Sequence, residues 1–169
     1  MISSQLPTIM RYLTLSELIY INGTVLNKPE IVAGTRQIRD IQLLDAAAAR
    51  PAASAFGQDA YPTLREKAAA LLHSLTRNHP FTDGNKRTAT VATVFMFRVN
   101  GARVIWRQDE ALTAILGAAE GAWTVDRLAA WFPIAPDSPL PDADAETDMR
   151  LIQAIIQEQR WLLNELERQ

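Results

Sequence analysis

Cysteine is absent from this chain of 169 residues, and histidine occurs only twice. Without cysteine there is no disulfide, no thiolate metal site and no cysteine nucleophile. The formal net charge is only −2, which argues against nucleic acid as a direct partner. No apolar run approaches the roughly 20 residues of a membrane span, and the first ten residues lack the basic start of a secretory leader. We therefore expect a soluble, cytoplasmic protein without a membrane partner.

The composition predicts one folded body with a tail of different charge. Hydrophobic residues make up 48% of the chain and charged residues 21%, and the length suits a single domain with its own core. Through Ala135 there are 14 basic and 11 acidic residues, whereas from Pro136 onward there are 3 basic and 8 acidic. We divide the chain into a body over 1–135, a proline-rich linker over 136–146 and a C-terminal amphipathic helix over 147–169.

Helix start and stop signals recur along the chain, whereas alternation at period two is rare. Thr14 and Thr63 each precede a glutamate by three residues, which predicts two capping boxes. Asp40 can cap another helix, which Pro51 ends. A later helix, from about Asn85 to Asn100, is apolar almost all round and is therefore expected at the centre. The pattern predicts an all-α bundle.

The C-terminal helix carries one apolar stripe, whose members repeat at helical spacing. They are Leu151, Ile152, Ile155, Ile156, Leu162, Leu163 and Leu166. Such a stripe must be covered, and the sequence leaves open whether it packs on its own bundle, on a second copy of the chain in a homodimer, or on another partner.

The stretch RNHPFTDGNKRTA, residues 77–89, concentrates polar side chains between two apolar helices. Gly84, Asn85 and Lys86 lie where a loop becomes a helix, so their backbone amides are free donors at the positive end of the helix dipole. Lys86 and Arg87 add two cations within a turn of these amides. The sequence therefore predicts a site for a polyphosphate.

Other side chains of the stretch suit chemistry on a phosphate. Asp83 is poorly placed against a bare phosphate but well placed to hold a Mg²⁺ that bridges phosphate oxygens. His79 can accept a hydroxyl proton near neutral pH. Arg77 either contacts phosphate or only complements the dipole of the helix that it ends. The set predicts phosphate-directed group transfer; the simpler alternative is a turn between two capped helices, with Lys86 and Arg87 solvated.

The string HPFTDGNKRTA resembles the signature of the Fic/Doc family, H-x-F-x-[DE]-G-N-x-R. Six residues match this pattern: His79, Phe81, Asp83, Gly84, Asn85 and Arg87. The surrounding sequence, from about Tyr12 to Pro133, resembles the death-on-curing branch of the family, whose members act as toxins in toxin–antitoxin pairs. The resemblance implies a Fic-fold helical bundle with a short flap, to which this chain adds the C-terminal helix.

Two departures from the Fic pattern bear on the reaction. Lys86 replaces the usual small residue after the asparagine, and Thr90 stands where the Fic branch has a second arginine. In Fic enzymes that arginine seats the γ-phosphate so that AMP is transferred. The resemblance therefore implies a protein kinase that uses ATP and Mg²⁺ to phosphorylate a serine or threonine of a translation factor, elongation factor Tu. The alternatives are AMP or other nucleotidyl transfer, and a non-catalytic module that binds a nucleotide or a partner.

The resemblance also implies a role for each residue of the signature. His79 would be the general base and Asp83 the metal ligand. Phosphate binding would fall to the loop amides and to Gly84, Asn85, Lys86 and Arg87, with Lys86 and Arg87 also stabilising charge during transfer.

The family further implies a flap and an inhibitor. The segment PAASAFGQDAYP, residues 51–62, would form the flap, a short β-hairpin that docks the target by strand addition, with Phe56 and Gly57 at its tip. No inhibitory string of the form [ST]-x-x-x-E-[GN] occurs, so a separate antitoxin protein is expected to inhibit in trans.

Overall fold

The computed structural model describes residues 9–27 and 37–169, and most of the stretch in which we expect no leader lies outside these ranges. The fold is all-α, as predicted, with a small flap. The helices are α1 (Leu15–Val25), α2 (Ile41–Ala49), α3 (Leu64–Asn78), α4 (Asn85–Val99), α5 (Gln108–Glu120), α6 (Val125–Trp131), α7 (Ala145–Glu158) and α8 (Arg160–Glu167). A 3-10 turn, Arg50–Ala52, follows α2.

Two short antiparallel sheets complete the described part of the chain. Strands β1 (Ser54–Ala55) and β2 (Gln58–Asp59) form a hairpin with Ser54 opposite Asp59. Strands β3 (Ala102–Val104) and β4 (Ile134–Pro136) pair with Arg103 opposite Ala135. The first pair is local, whereas the second returns the chain to the carboxyl end of α4.

Side-chain caps fix where three of the helices begin. The Thr14 hydroxyl accepts the Glu17 amide while the Glu17 carboxylate accepts the Thr14 amide, and Thr63 and Glu66 repeat the same pair. The Asp40 carboxylate accepts from the amides two and three residues further on. The three predicted caps are present because each satisfies amides that a helix start leaves without an acceptor.

Helix α4 forms the centre of the bundle and contacts α1, α3, α5, α7 and α8. Phe95, Met96 and Phe97 have no exposed surface, and Phe97 packs edge-on against Phe132 with 5.1 Å between ring centroids. Because five other helices pack against α4, the position of its first turn in the fold is fixed. In the described ranges, no helix has the length and apolar character needed to cross a bilayer.

The chain between α6 and α7 is anchored along most of its length. Pro133 follows α6, and the strand β4 begins at the next residue. The amide of Asp137 then donates to Gly101 O at 2.9 Å, and that of Leu140 to Val99 O at 3.0 Å. Part of the segment that the sequence predicted as a proline-rich linker, 136–146, is therefore hydrogen-bonded to the end of α4. That this segment separates two domains stays a prediction.

The C-terminal segment is two helices, where the sequence predicted one. It begins at Ala145, two residues earlier than expected, and breaks at Gln159, whose backbone is not helical (φ −98°, ψ 16°). Gln159 Oε1 accepts from Trp106 Nε1 at 3.0 Å, and Gln108 Oε1 accepts the Leu162 amide at 2.9 Å. These long-range bonds favour the break, which lets α8 turn toward the amino end of α4.

The apolar stripe of the tail packs on its own bundle. The buried members belong to the same hydrophobic core as α4. They are Ile152, Ile155, Leu162, Leu163 and Leu166. The sequence left open whether the stripe packs on its own bundle, on a second copy or on another partner. The structure shows that it packs on its own bundle.

Candidate active site

The loop between α3 and α4 ends in a nest of unpaired amides. Gly84 caps α4 in the left-handed conformation (φ +74°), and its N–H donates to Asp83 Oδ1 at 2.7 Å. Among the described residues, no acceptor takes the N–H groups of Asn85, Lys86 and Arg87. Three free donors at the positive end of a helix dipole are suited to bind an anion.

Asn85 holds the loop in shape with its side chain. Its Oδ1 accepts from Phe81 N at 2.9 Å, and its Nδ2 donates to Phe81 O at 3.0 Å. The Phe81 ring is 1% exposed and inserts into the core. Both ends of the Asn85 amide are therefore occupied, so what this residue offers to a phosphate is its backbone N–H.

A cleft of about 150 Å³ opens above these amides. It is lined by His79, residues 82–87, Leu166, Glu167 and Gln169. The structure thus brings together the predicted base, the predicted metal ligand, the amides and both cations. It also adds the end of α8, which the sequence did not place there.

His79 stands at the edge of this cleft in the left-handed conformation (φ 48°, ψ 60°). Partial desolvation by surrounding atoms, and then the cations Lys86, Arg39 and Arg77, lower the pKa of His79 below its ordinary value of 6.5. Near neutral pH the imidazole is accordingly unprotonated. It is in the form that can accept a proton.

Arg87 is buried between two carboxylates. Its Nη2 lies 3.4 Å from Asp83 Oδ1 and its Nη1 lies 3.7 Å from Glu167 Oε1. The arginine is only 9% exposed, whereas both carboxylates are open to solvent. An incoming phosphate would compete with these carboxylates for the guanidinium.

The carboxylate of Asp83 leaves one oxygen available to a cation. Its Oδ1 accepts from Gly84 N, while no donor among the described residues reaches Oδ2. The described chain contains no cluster of three acidic or histidine groups that could enclose a metal. A single exposed carboxylate oxygen beside a phosphate site fits Mg²⁺, which binds one or two carboxylates together with substrate phosphates.

Arg77 does not reach the cleft. Its Nη1 donates to Ala119 O at 2.8 Å, and the guanidinium packs beside Gly121 at the end of α5. The arginine therefore satisfies a terminal carbonyl of α5 and contacts no phosphate site. It also lies in the last turn of α3, where its charge complements the dipole of that helix, the alternative that the sequence left open.

Phe56 and Gly57 form the tip of the β1–β2 hairpin. Both have positive φ (55° and 76°), and the Phe56 side chain is fully exposed. At the base of the hairpin, the buried Lys67 donates to Asp59 Oδ2 and to Pro51 O, both at 3.2 Å. The tip lies where the sequence placed it; its role in docking a target stays a prediction.

Comparison with known proteins identifies the family of this chain. The model of the Fic/DOC family matches residues 12–97, slightly more than half of the chain. The chain belongs to the Fic/DOC family. It is also 55% identical to the Toxin Doc of Mycolicibacterium smegmatis over 71 residues, which are 42% of this chain and 55% of that protein. The matched part thus spans little more than half the length of this curated relative.

Three residues that support the Fic/DOC loop carry no signal in the motif itself. Asn22 of α1 is fully buried, and its Nδ2 donates to Asp83 O at 2.9 Å and to Thr88 Oγ1 at 3.0 Å. Gln37 accepts the Thr82 amide through its backbone carbonyl at 2.8 Å. Arg39 binds the carbonyls near His79. The sequence signal that could have revealed this support is Asn22 itself, a polar residue in a largely apolar helix.

Gly84→Ala is expected to weaken anion binding, whereas Gly57→Ala is not. A left-handed alanine costs about 1–2 kcal/mol at either position, but a Cβ at Gly84 would lie 3.1 Å from Leu26 Cδ2, while one at Gly57 meets open space. The crowding at Gly84 should tilt the amide nest. Titration with inorganic pyrophosphate, beside urea unfolding, checks this; equal pyrophosphate affinity in both variants would contradict it.

Glu167→Gln is expected to tighten binding of inorganic pyrophosphate by about threefold to tenfold at low salt, because a carboxylate near the cleft repels the anion and occupies Arg87. The matched control is Glu165→Gln, on the same helix but paired with Arg168 and outside the cleft. Calorimetric titration of the three proteins gives the comparison. An equal gain in both variants would mean that only net charge matters.

Proposed function

We propose that this chain is a toxin that transfers the γ-phosphate of ATP to a serine or threonine hydroxyl of a translation factor in the cytoplasm. The observation that carries the proposal is the single cleft shared by His79, Asp83, the first-turn amides of α4 and two cations. These are the parts that phosphoryl transfer requires: a base, a metal ligand and donors for the charge on the phosphate. The likeness to a protein named Toxin Doc supports the toxin role.

The choice of γ-phosphate over AMP rests on Thr90. Its side chain is fully buried, and its hydroxyl donates to Lys86 O at 2.8 Å. The position that carries the second arginine in the Fic branch therefore presents no charge to the cleft. Lys86 and Arg87 stand at the amide nest instead, where they would hold the phosphate that is transferred.

In the proposed reaction His79 accepts the proton of the target hydroxyl. The hydroxyl oxygen forms a bond to the γ-phosphorus as the bond from that phosphorus to the bridging oxygen of ADP breaks, and ADP leaves. The amides of Asn85, Lys86 and Arg87 would stabilise the charge on the phosphate oxygens. Asp83 would hold Mg²⁺, which when bound neutralises phosphate charge.

Two alternatives differ in what they ask of the cleft. AMP or other nucleotidyl transfer would use the same base and metal ligand with the nucleotide reversed. A non-catalytic module would need only the amides and cations. The presence of His79 with an accessible, unprotonated imidazole favours catalysis, because binding a nucleotide does not require a base.

The proposed partners follow from the family and the flap. The exposed hairpin with Phe56 and Gly57 at its tip would dock an extended segment of the target, elongation factor Tu. A separate antitoxin protein would inhibit the toxin in trans. The tail stripe is used within the chain, so this proposal requires no homodimer through it.

Expression in a bacterial host tests the function in cells. The wild-type chain should stop incorporation of labelled amino acids, and mass spectrometry should find elongation factor Tu heavier by one phosphate. Asp83→Asn, which keeps the side-chain shape and removes its charge, should do neither. Equal arrest by the Asp83→Asn variant would contradict the proposal.

A further inference from the structure

Arg39 binds three consecutive carbonyls at the His79 end of the loop. Its Nε donates to His79 O at 2.6 Å, its Nη2 to Asn78 O at 2.7 Å, and its backbone N–H to Pro80 O at 2.8 Å. Arg39 lies just before α2, in the segment that follows α1 along the chain. It lies outside the family signature, and nothing in the sequence assigned it a role.

These bonds meet a need that the loop cannot meet by itself. Helix α3 ends at Asn78, and the last carbonyls of a helix have no partner within it. The next residue, His79, is left-handed, which is unfavourable for a residue with a Cβ, and Pro80 has no N–H to donate. An external donor is thus required to hold the backbone that sets the direction of the imidazole.

We propose that Arg39 is a positioning residue for His79: its guanidinium fork grips the Asn78 and His79 carbonyls and so fixes where the imidazole stands in the cleft. The inference rests on the proposed function, in which that imidazole is the base. The planar fork matters because two nitrogens of one rigid group bind two neighbouring carbonyls, which the single ammonium of a lysine cannot reproduce.

The charge of Arg39 has a second effect on the same imidazole. The cations that act on the imidazole are Lys86 of α4, Arg39 and, from outside the cleft, Arg77 of α3. The other charged groups that line the same cleft are Asp83 of the loop, Arg87 of α4 and Glu167 of α8. The cation of Arg39 contributes to lowering the pKa of His79, so its removal raises that pKa and moves the acid limb of activity to higher pH.

Two substitutions separate the fork from the charge. Arg39→Met removes both, whereas Arg39→Lys keeps the charge and loses the second nitrogen. The matched control is Arg65→Met, since Arg65 also donates to a backbone carbonyl, Phe132 O at 2.7 Å. Arg65 lies in the first turn of α3, at the opposite end of that helix from His79. Because the chain has only two histidines, His73 serves as an internal reference in NMR titrations.

We expect both Arg39 variants to shift the His79 ring and backbone signals, and only Arg39→Met to raise the His79 pKa. His73 and the Arg65→Met variant should show neither change. The transfer rate is compared at a pH above the pKa of His79 in the wild-type protein and in each variant. There it should fall about tenfold to a hundredfold in both Arg39 variants, with KM for ATP within about threefold of wild type.

Unchanged His79 signals in Arg39→Met would overturn the inference. Shifted His79 signals together with a wild-type transfer rate would also overturn it, as would an equal loss of transfer rate in Arg65→Met. The NMR comparison needs no substrate. If the wild-type protein transfers no phosphate, the proposed function fails, while displaced His79 signals in both Arg39 variants would still support the positioning role.

Discussion

Replacing His79 with alanine is expected to slow phosphate transfer by about 10²–10⁴-fold, the range typical of losing a general base. The side chain makes no hydrogen bond in the described structure and lies at an exposed edge, so the fold should be little affected. Binding of ATP should change little, because the amides and cations of α4 remain. Single-turnover transfer, with ATP binding measured in parallel, gives both quantities.

The matched control is His73→Ala. His73 is half-buried in α3, the helix that ends just before His79, and its Nδ1 lies 3.0 Å from Arg50 Nη1, away from the cleft. Its loss should reduce stability and leave the rate intact. When the pH is lowered, the wild-type transfer rate should be lost with a midpoint below pH 6.5. The reason is that the pKa of His79 lies below 6.5, and the base is lost only as the pH falls through that pKa. A His79→Ala rate within twofold or so of wild type would remove the histidine from the mechanism.

Arg11→Ala is expected to destabilise the protein by about 3–5 kcal/mol, as breaking one side of a buried ion pair does. Arg11 is 8% exposed, and its Nη2 lies 2.5 Å from Asp148 Oδ2 of α7. The guanidinium also donates to Leu140 O at 3.0 Å and lies over the Phe95 ring. The substitution would leave the carboxylate of Asp148 buried without its cation. Urea unfolding measures the loss.

Two comparisons show whether burial of the pair is the cause. Arg150→Ala breaks the exposed pair with Glu146 on the same helix and should cost less than about 1 kcal/mol. The double variant Arg11→Met, Asp148→Leu removes both charges of the pair and should recover part of the loss. The recovery stays incomplete because Glu17, whose Oε2 lies 3.5 Å from Arg11 Nη2, also loses its cation. If Arg11→Ala costs no more than Arg150→Ala, the tail is not joined to the body as the structure shows.

The parts of the fold that local chemistry determines could be predicted from the sequence. Thr14, Asp40 and Thr63 cap helices because an oxygen side chain and a nearby amide suffice. The apolar α4 had to be central, and the tail stripe had to be covered. The family signature placed His79 and Asp83 beside the amide nest, because that arrangement depends on one short loop.

Features that depend on distant residues could not be predicted in this way. The break at Gln159 follows from hydrogen bonds that join α8 to the start of α5. That break brings Glu167 to Arg87, far from it in sequence. Arg77 donates to a carbonyl at the end of α5 and does not contact the phosphate site, because the fold places Ala119 O within its reach. The roles of Asn22 and Arg39 likewise depend on which backbone carbonyls the fold sets against them.

The most direct test of the proposed reaction is to incubate the purified chain and its His79→Ala variant with a bacterial translation extract, using ATP labelled in parallel at the α or the γ position. Label on a protein from the γ position alone, and with wild type alone, is the predicted result. Label from the α position would show AMP transfer and would contradict the role given to Thr90. Label from neither position would contradict phosphate transfer to a component of the extract.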